Sequence, residues 1–218
     1  MEWLLPYGTA LLLGSVHAFE ADHVVAVTAF AVRRRHPLDG IRFGLRWAVG
    51  HGFVIVAAGA LLTLAGVDAP ESVVHVLERG VGVALIFLGF WTVAGARSLH
   101  AHGHTHVNGT RHAHLHSHLF GRGHDHGHGV TLVGMMHGLA GTAPVVALIP
   151  LAAAGSVTGG IAYLLLFAVG TAAGMALYGL VAGLIANRAV ARSERLARIL
   201  TRAAGVATIT VGVFWLLR

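Results

Sequence analysis

The chain has no cysteine and no lysine, and only 11% of its 218 residues are charged. The first absence excludes disulfides, thiolate metal ligands and thiol redox chemistry. The second excludes a Gly-x4-Gly-Lys-Ser/Thr phosphate loop, and with it nucleotide hydrolysis by that route. The third leaves too little charge to coat a soluble globule, for which roughly 25% is usual. What is abundant is apolar: 56% of residues are hydrophobic and the mean hydropathy is +0.73. Six long apolar stretches, near 8–32, 45–66, 80–98, 130–154, 160–186 and 203–217, each approach the ~20 residues that cross a bilayer. In lipid each must be helical to satisfy its backbone. The first lacks a basic start and is interrupted by Glu20, Asp22 and His23, so it reads as a mature helix and not a cleaved signal.

All 15 basic residues are arginine. Arg33, Arg34, Arg35, Arg42 and Arg46 separate the first two stretches, and Arg97, Arg111 and Arg122 surround the connection after the third. Arg188, Arg192, Arg195, Arg198 and Arg202 lie between the fifth and sixth, which leaves only Arg79 and Arg218 opposite. The positive-inside rule makes the arginine-rich side cytoplasmic. The expected location is the cytoplasmic (inner) membrane with both termini outward. A pI of 11.2 therefore reflects arginines bordering spans, and nucleic acid is not an expected partner.

The two halves resemble each other. Gly14-Ser15-Val16-His17-Ala18 matches Gly134-Met135-Met136-His137-Gly138, and Trp47-Ala48-Val49-Gly50-His51 matches Phe167-Ala168-Val169-Gly170-Thr171, both at an offset of 120. Arg79, Gly82, Val83, Ala84 and Gly89 match Arg202, Gly205, Val206, Ala207 and Gly212 at an offset of 123. Three helices per half is an odd number, so the second copy enters from the opposite side. The expected fold is an all-α integral membrane protein of six transmembrane helices, built as two inverted three-helix repeats. Residues 1–98 and 130–218 are the repeats, and residues 99–129 join them. Sites in such proteins lie near the midplane between repeats.

His17-Ala18-Phe19-Glu20-Ala21-Asp22-His23 places a His-x4-Asp-His pattern inside an apolar helix. An ionised Asp at the bilayer centre costs on the order of 2.5–3.5 kcal/mol, and intramembrane ionisable residues usually mark an ion pathway. Imidazole suits Ni, Co, Zn and Cu, and a carboxylate adds charge neutralisation. At ~100° per residue Asp22 lies about 140°, and His23 about 240°, around the helix from His17. One regular helix does not aim all three at one ion, so either the helix is distorted there or a neighbouring helix shares the ligation. His51, between Gly50 and Gly52, and His137 are further candidate ligands. Thr142 takes the slot of Asp22 in the second half and Ala143 that of His23. Glu20, and with it Thr142, is open between ligand, proton carrier and support for a ligand.

The His-x4-Asp-His motif, Gly50-His51 and the run His137-Gly138-Leu139-Ala140-Gly141-Thr142-Ala143-Pro144 resemble the nickel/cobalt transporter (NiCoT) superfamily, most closely its shorter six-helix members. The resemblance covers the membrane part of the chain. It implies Ni²⁺ or Co²⁺ permeation with His17, Asp22 and His23 essential. Longer members have extra helices and read Gly-His-Ser-Thr where this chain has Gly50-His51-Gly52-Phe53.

Residues 99–129 hold most of the 17 histidines: His100, His102, His104, His106, His112, His114, His116, His118, His124, His126 and His128. Such tracts bind metal, and without apolar periodicity this one is expected to be disordered and cytoplasmic, a buffer or funnel for ions. The segment Asp68–Arg79, with Glu71 and His75, is expected to be an outer interfacial helix. The function expected is secondary transport of a divalent transition-metal ion, Ni²⁺ or Co²⁺, with uptake favoured over efflux. The metal is cargo, with no permanently bound cofactor and no enzymatic activity. The bilayer is a partner, and a homo-oligomer or a metallochaperone would be a further one. A membrane metalloenzyme and a non-transporting metal-storage protein are the alternatives.

Overall fold

The computed structural model describes residues 5–31, 37–65, 70–97, 100–105, 111–116, 127–139 and 156–217. They form seven helices: α1 (Leu5–His17), α2 (Ala21–Ala31), α3 (Pro37–Ala65), α4 (Glu71–Arg97), α5 (Gly127–Leu139), α6 (Val157–Arg192) and α7 (Glu194–Leu217). Four of these, α3, α4, α6 and α7, are long and apolar enough to cross a membrane. The pair α1 and α2 qualifies together as a fifth span, bent by 54°. The chain is a membrane protein, and its exterior agrees: Leu12, Leu61, Phe87, Phe90 and Leu177 are exposed, while the ionisable Asp22, His23 and His51 are buried. A bilayer solvates that apolar outer surface, and polar groups turn inward.

The first apolar stretch is not one helix. α1 stops at His17, and Phe19 N–H donates to Val16 O and Glu20 N–H to His17 O, at 2.9 and 3.0 Å. Val24 N–H then donates to Glu20 O at 2.9 Å and the helix resumes. These three-residue bonds tighten the last turn of α1 and satisfy carbonyls that the bend would orphan. The other helices run beyond the apolar windows. Of the segment Asp68–Arg79, expected as an outer interfacial helix, Glu71–Arg79 is the first part of α4, and the segments bearing Arg188, Arg192, Arg195, Arg198 and Arg202 continue α6 and α7. Hydropathy marks where a helix meets lipid, whereas its backbone ladder continues through amphipathic turns. The stretch expected at 130–154 is represented by the short apolar helix Val130–Leu139; its remainder, with Thr142, lies outside the described residues.

Glycines set how the helices pack. A Cβ at Gly14 would overlap the backbone of Phe167, and one at Gly170 that of Leu11, so α1 lies directly on α6. A Cβ at Gly134 would overlap the backbone of Trp47, and one at Gly50 that of Thr131, so α5 lies equally close on α3. α3 meets α6 through Gly40–Gly179, Gly44–Met175, Gly52–Ala168 and Gly59–Leu164, and α4 meets α7 through Gly82–Gly212 and Gly89–Gly205. Along α3–α6 and α4–α7 the numbers rise on one helix as they fall on the other, so these pairs are antiparallel. Gly134 on Trp47 and Gly138 on His51, and Gly170 on Leu11 and Gly174 on Ala18, rise together, so α3–α5 and α1–α6 are parallel. Small residues at these crossings let backbones approach where lipid supplies no hydrophobic drive. α2 is tied to the rest by Thr28 Oγ1 with Tyr178 OH at 2.6 Å and by Thr208 Oγ1 donating to Val25 O at 3.3 Å.

The histidine tract differs from the expected disorder in one part. β1 (His100–Thr105) and β2 (Arg111–His116) pair antiparallel, with His100 opposite His116, His102 opposite His114 and His104 opposite His112. These are the only strands among the described residues.

Candidate metal centre

The break between α1 and α2 resolves the angular conflict in the His-x4-Asp-His motif. His17 ends α1, while Asp22 and His23 open α2, and the 54° bend turns all three inward. His51 comes from mid-α3 and His137 from the last turn of α5. All five side chains are buried, His23 and His51 to 1% exposure.

The five residues form one contiguous cluster. His17 Nε2 lies 3.2 Å from His51 Nε2. Asp22 Oδ1 accepts from both the His23 backbone N–H at 2.8 Å and the His23 Nδ1 at 2.9 Å. Asp22 Oδ2 stands 3.2 Å from His137 Nε2, near enough for charge attraction but off the line of a hydrogen bond. The His23 ring sits centrally, with centroids 4.5 Å from His17, 4.8 Å from His51 and 4.5 Å from His137. Two sets of three residues bring their ligand atoms within 4.8 Å of one another: His17, His23 and His51, and Asp22, His23 and His137.

Several nitrogens here are buried without a hydrogen-bond partner among the described residues: His23 Nε2, His51 Nδ1 and His137 Nε2. Buried polar atoms are rarely left so. Clustered imidazole nitrogens around one carboxylate are the donor set of a divalent transition ion.

Glu20 differs from the rest. Its side chain is 51% exposed, with Oε1 2.9 Å from His17 Nδ1, so it stands at the edge of the cluster. Of the tract histidines, His100, His102, His104, His112, His114 and His116 fall in the ribbon, His128 falls in the first turn of α5, and His106, His118, His124 and His126 lie outside the described residues.

Two supports escaped the reading of motifs. Phe167 packs on His17 and Trp47 on His137, both with centroids 5.3 Å apart. The signal was available, because Trp47 and Phe167 open the two matched runs. A further buried carboxylate, Glu78 on α4, was also passed over; its Oε2 is 3.5 Å from the exposed His75. An apolar cavity of about 520 Å³ borders the cluster at His137, lined also by Trp47, Leu85, Trp91 and Val133. Its walls offer a hydrated ion no polar path.

No solved structure matches the chain. The urease accessory protein UreH of Bacillus sp. (strain TB-90) is 26% identical over 164 residues, covering 75% of this chain and 70% of that protein. The matching family is not the one that the motifs resemble. Residues 9–214 match the cytochrome c biogenesis protein transmembrane region, and the chain, a membrane-embedded helical bundle around a histidine and aspartate cluster, belongs to that family.

Proposed function

We propose that the protein carries a divalent transition-metal ion, Ni²⁺ or Co²⁺, across the cytoplasmic membrane through the His17, Asp22, His23, His51 and His137 cluster. The observation that carries this reading is the cluster itself: four imidazoles and one carboxylate converge, buried, at a helix break inside an apolar bundle. Broken spans whose helix ends face a midplane site are a transporter device. His17 and His137 lie in the last turns of α1 and α5, where the helix dipole favours a cation. The motif resemblance to nickel/cobalt transporters supports the same metal.

The fold proposed for the whole chain is six spans in two inverted repeats. The glycine contacts support it. Under the offset of 120, Gly14 on Phe167 becomes Gly134 on Trp47, and Gly50 on Thr131 becomes Gly170 on Leu11. Under the offset of 123, Gly82–Gly212 becomes Gly205–Gly89. The counterparts α3 and α6, and α4 and α7, are antiparallel. The axis relating them is therefore perpendicular to the helices and lies in the membrane plane.

Transport is secondary, and uptake is the favoured direction: a dication moving inward through ~100 mV gains roughly 4.6 kcal/mol. The histidine tract, on the arginine-rich cytoplasmic side, receives or buffers the ion. Lacking cysteine, the chain carries out no thiol–disulfide exchange, whatever other members of its family do.

The test is flux of Ni²⁺, Co²⁺ and Zn²⁺ into oriented proteoliposomes, with and without a proton gradient, for wild type and His17→Ala. Flux in wild type that His17→Ala abolishes supports the proposal. Tight metal binding without flux turns it toward storage, and turnover of an organic substrate toward a metalloenzyme.

A further inference from the structure

We infer that the cluster is two alternative three-ligand seats for a single ion, sharing His23, and that cargo crosses the bundle by stepping from one seat to the other. This rests on the transport reading above.

The first seat is His17, His23 and His51, and the second is Asp22, His23 and His137. Each set is mutually within 4.8 Å, and His23 alone belongs to both. The outer members are farther apart than their distances to His23: His51 and His137 centroids are separated by 5.8 Å and His17 and His51 by 5.4 Å. Two dications sharing one ring would repel strongly in a buried site with a single carboxylate, so the seats are occupied in turn.

The helix directions give the step an axis. α1 is parallel to α6, α6 is antiparallel to α3, and α3 is parallel to α5. It follows that α1 and α5 run in opposite directions, and their last turns, bearing His17 and His137, reach His23 from opposite faces of the membrane. The seats also differ chemically. The first is three imidazoles with the half-exposed Glu20 at its edge, 2.9 Å from His17. The second contains the buried carboxylate of Asp22. An all-imidazole seat beside a half-exposed acid suits arrival and release, and an enclosed seat with a carboxylate holds the ion longer. His23, with Nδ1 on Asp22 and Nε2 unpartnered, is the group that the ion need not release while it changes its other two ligands.

The test uses the full chain in nanodiscs, with the histidines at 100–128 changed to Asn so that only the cluster binds metal. Co²⁺ stoichiometry, affinity and visible absorption are read for wild type, His51→Asn, His137→Asn and His23→Asn, and Co²⁺ flux is read with the native tract restored. One Co²⁺ per chain is expected. His51→Asn and His137→Asn should each still bind one ion, with a loss no deeper than the ~10–100-fold that removing a ligand's supporting partner costs, and with spectra that differ from one another. Each should cut flux more than ~10-fold, and His23→Asn should weaken binding more than either. Two ions per chain, identical spectra, or a loss in either outer variant as deep as in His23→Asn would overturn the two-seat arrangement. Wild-type flux surviving in His137→Asn would also overturn it while leaving transport standing. Absence of wild-type flux would remove the transport reading, with stoichiometry and spectra still judging the seats. Monodisperse elution of each variant checks folding.

Discussion

Each group in the cluster has a different task, and Asp22 has the heaviest. Its two oxygens hold the His23 backbone, the His23 ring and the approach to His137. It is also the cluster's only buried carboxylate. Asp22→Asn keeps the shape and removes the charge, so Ni²⁺ or Co²⁺ affinity should fall about 10–100-fold, with a monodisperse protein and reduced vesicle flux. Unchanged flux in that variant would show that charge is not what holds the ion. The residue identities here were legible in the sequence, because an acidic and imidazole run inside an apolar stretch has few other uses. Their convergence was not. Angular arithmetic showed that a straight helix fails, but Ala18-Phe19-Glu20 contains neither Pro nor Gly to locate the break. The turn depends on tertiary fit, with Ala18 buried to 1% against Gly174.

Among the helices, glycine positions separate into those that matter and those that do not. Gly14→Leu and Gly134→Leu should each destabilise the bundle by at least the ~1–3 kcal/mol of core overpacking, because the obstacle is backbone. Gly8 has open space around its missing Cβ, and Gly8→Ala should be neutral or stabilising by up to about 1 kcal/mol. Thermal unfolding in detergent distinguishes the two classes. The equal offsets of these glycines were readable, yet their partners were not, since sequence similarity between halves does not say which helix touches which. In the ribbon, the register puts Ala101 opposite Leu115. The chain has no native cysteine, so nitroxides at Ala101→Cys and Leu115→Cys report this pairing cleanly. Zn²⁺ should narrow and shorten the distance between them, and changing His102 and His114 to Asn should cancel that response. A distance insensitive to zinc would leave the three opposed histidine pairs without a role in metal capture. The tract's composition raises the expectation of metal binding; its register depends on strand pairing, which period-two histidines permit in several frames.

For the molecule as a whole, the arginine distribution sets the sidedness to be expected. Ser193, between α6 and α7 in the arginine-rich connection, and Pro70, just before α4, should lie on opposite faces. Single cysteines at these positions should react with an impermeant maleimide from the cytoplasmic and outer sides respectively, in inside-out and right-side-out vesicles. Labelling of both from one side would refute the topology. Membrane character and the order of the long spans were plain from hydropathy, and helix ends were not, because arginine-bearing turns extend α6 and α7 past their apolar windows.

The opposed last turns of α1 and α5 have a consequence for the resting protein. Two carbonyl-bearing helix ends of like partial charge confront each other across His23, and with nothing between them they repel. On the transport reading, an ion bound there would relieve that tension and rivet the two helix ends together. The purified protein should therefore melt at a higher temperature with Ni²⁺ or Co²⁺ present, by the linkage that rewards any ligand of the folded state alone. Much of that gain should vanish in Asp22→Asn.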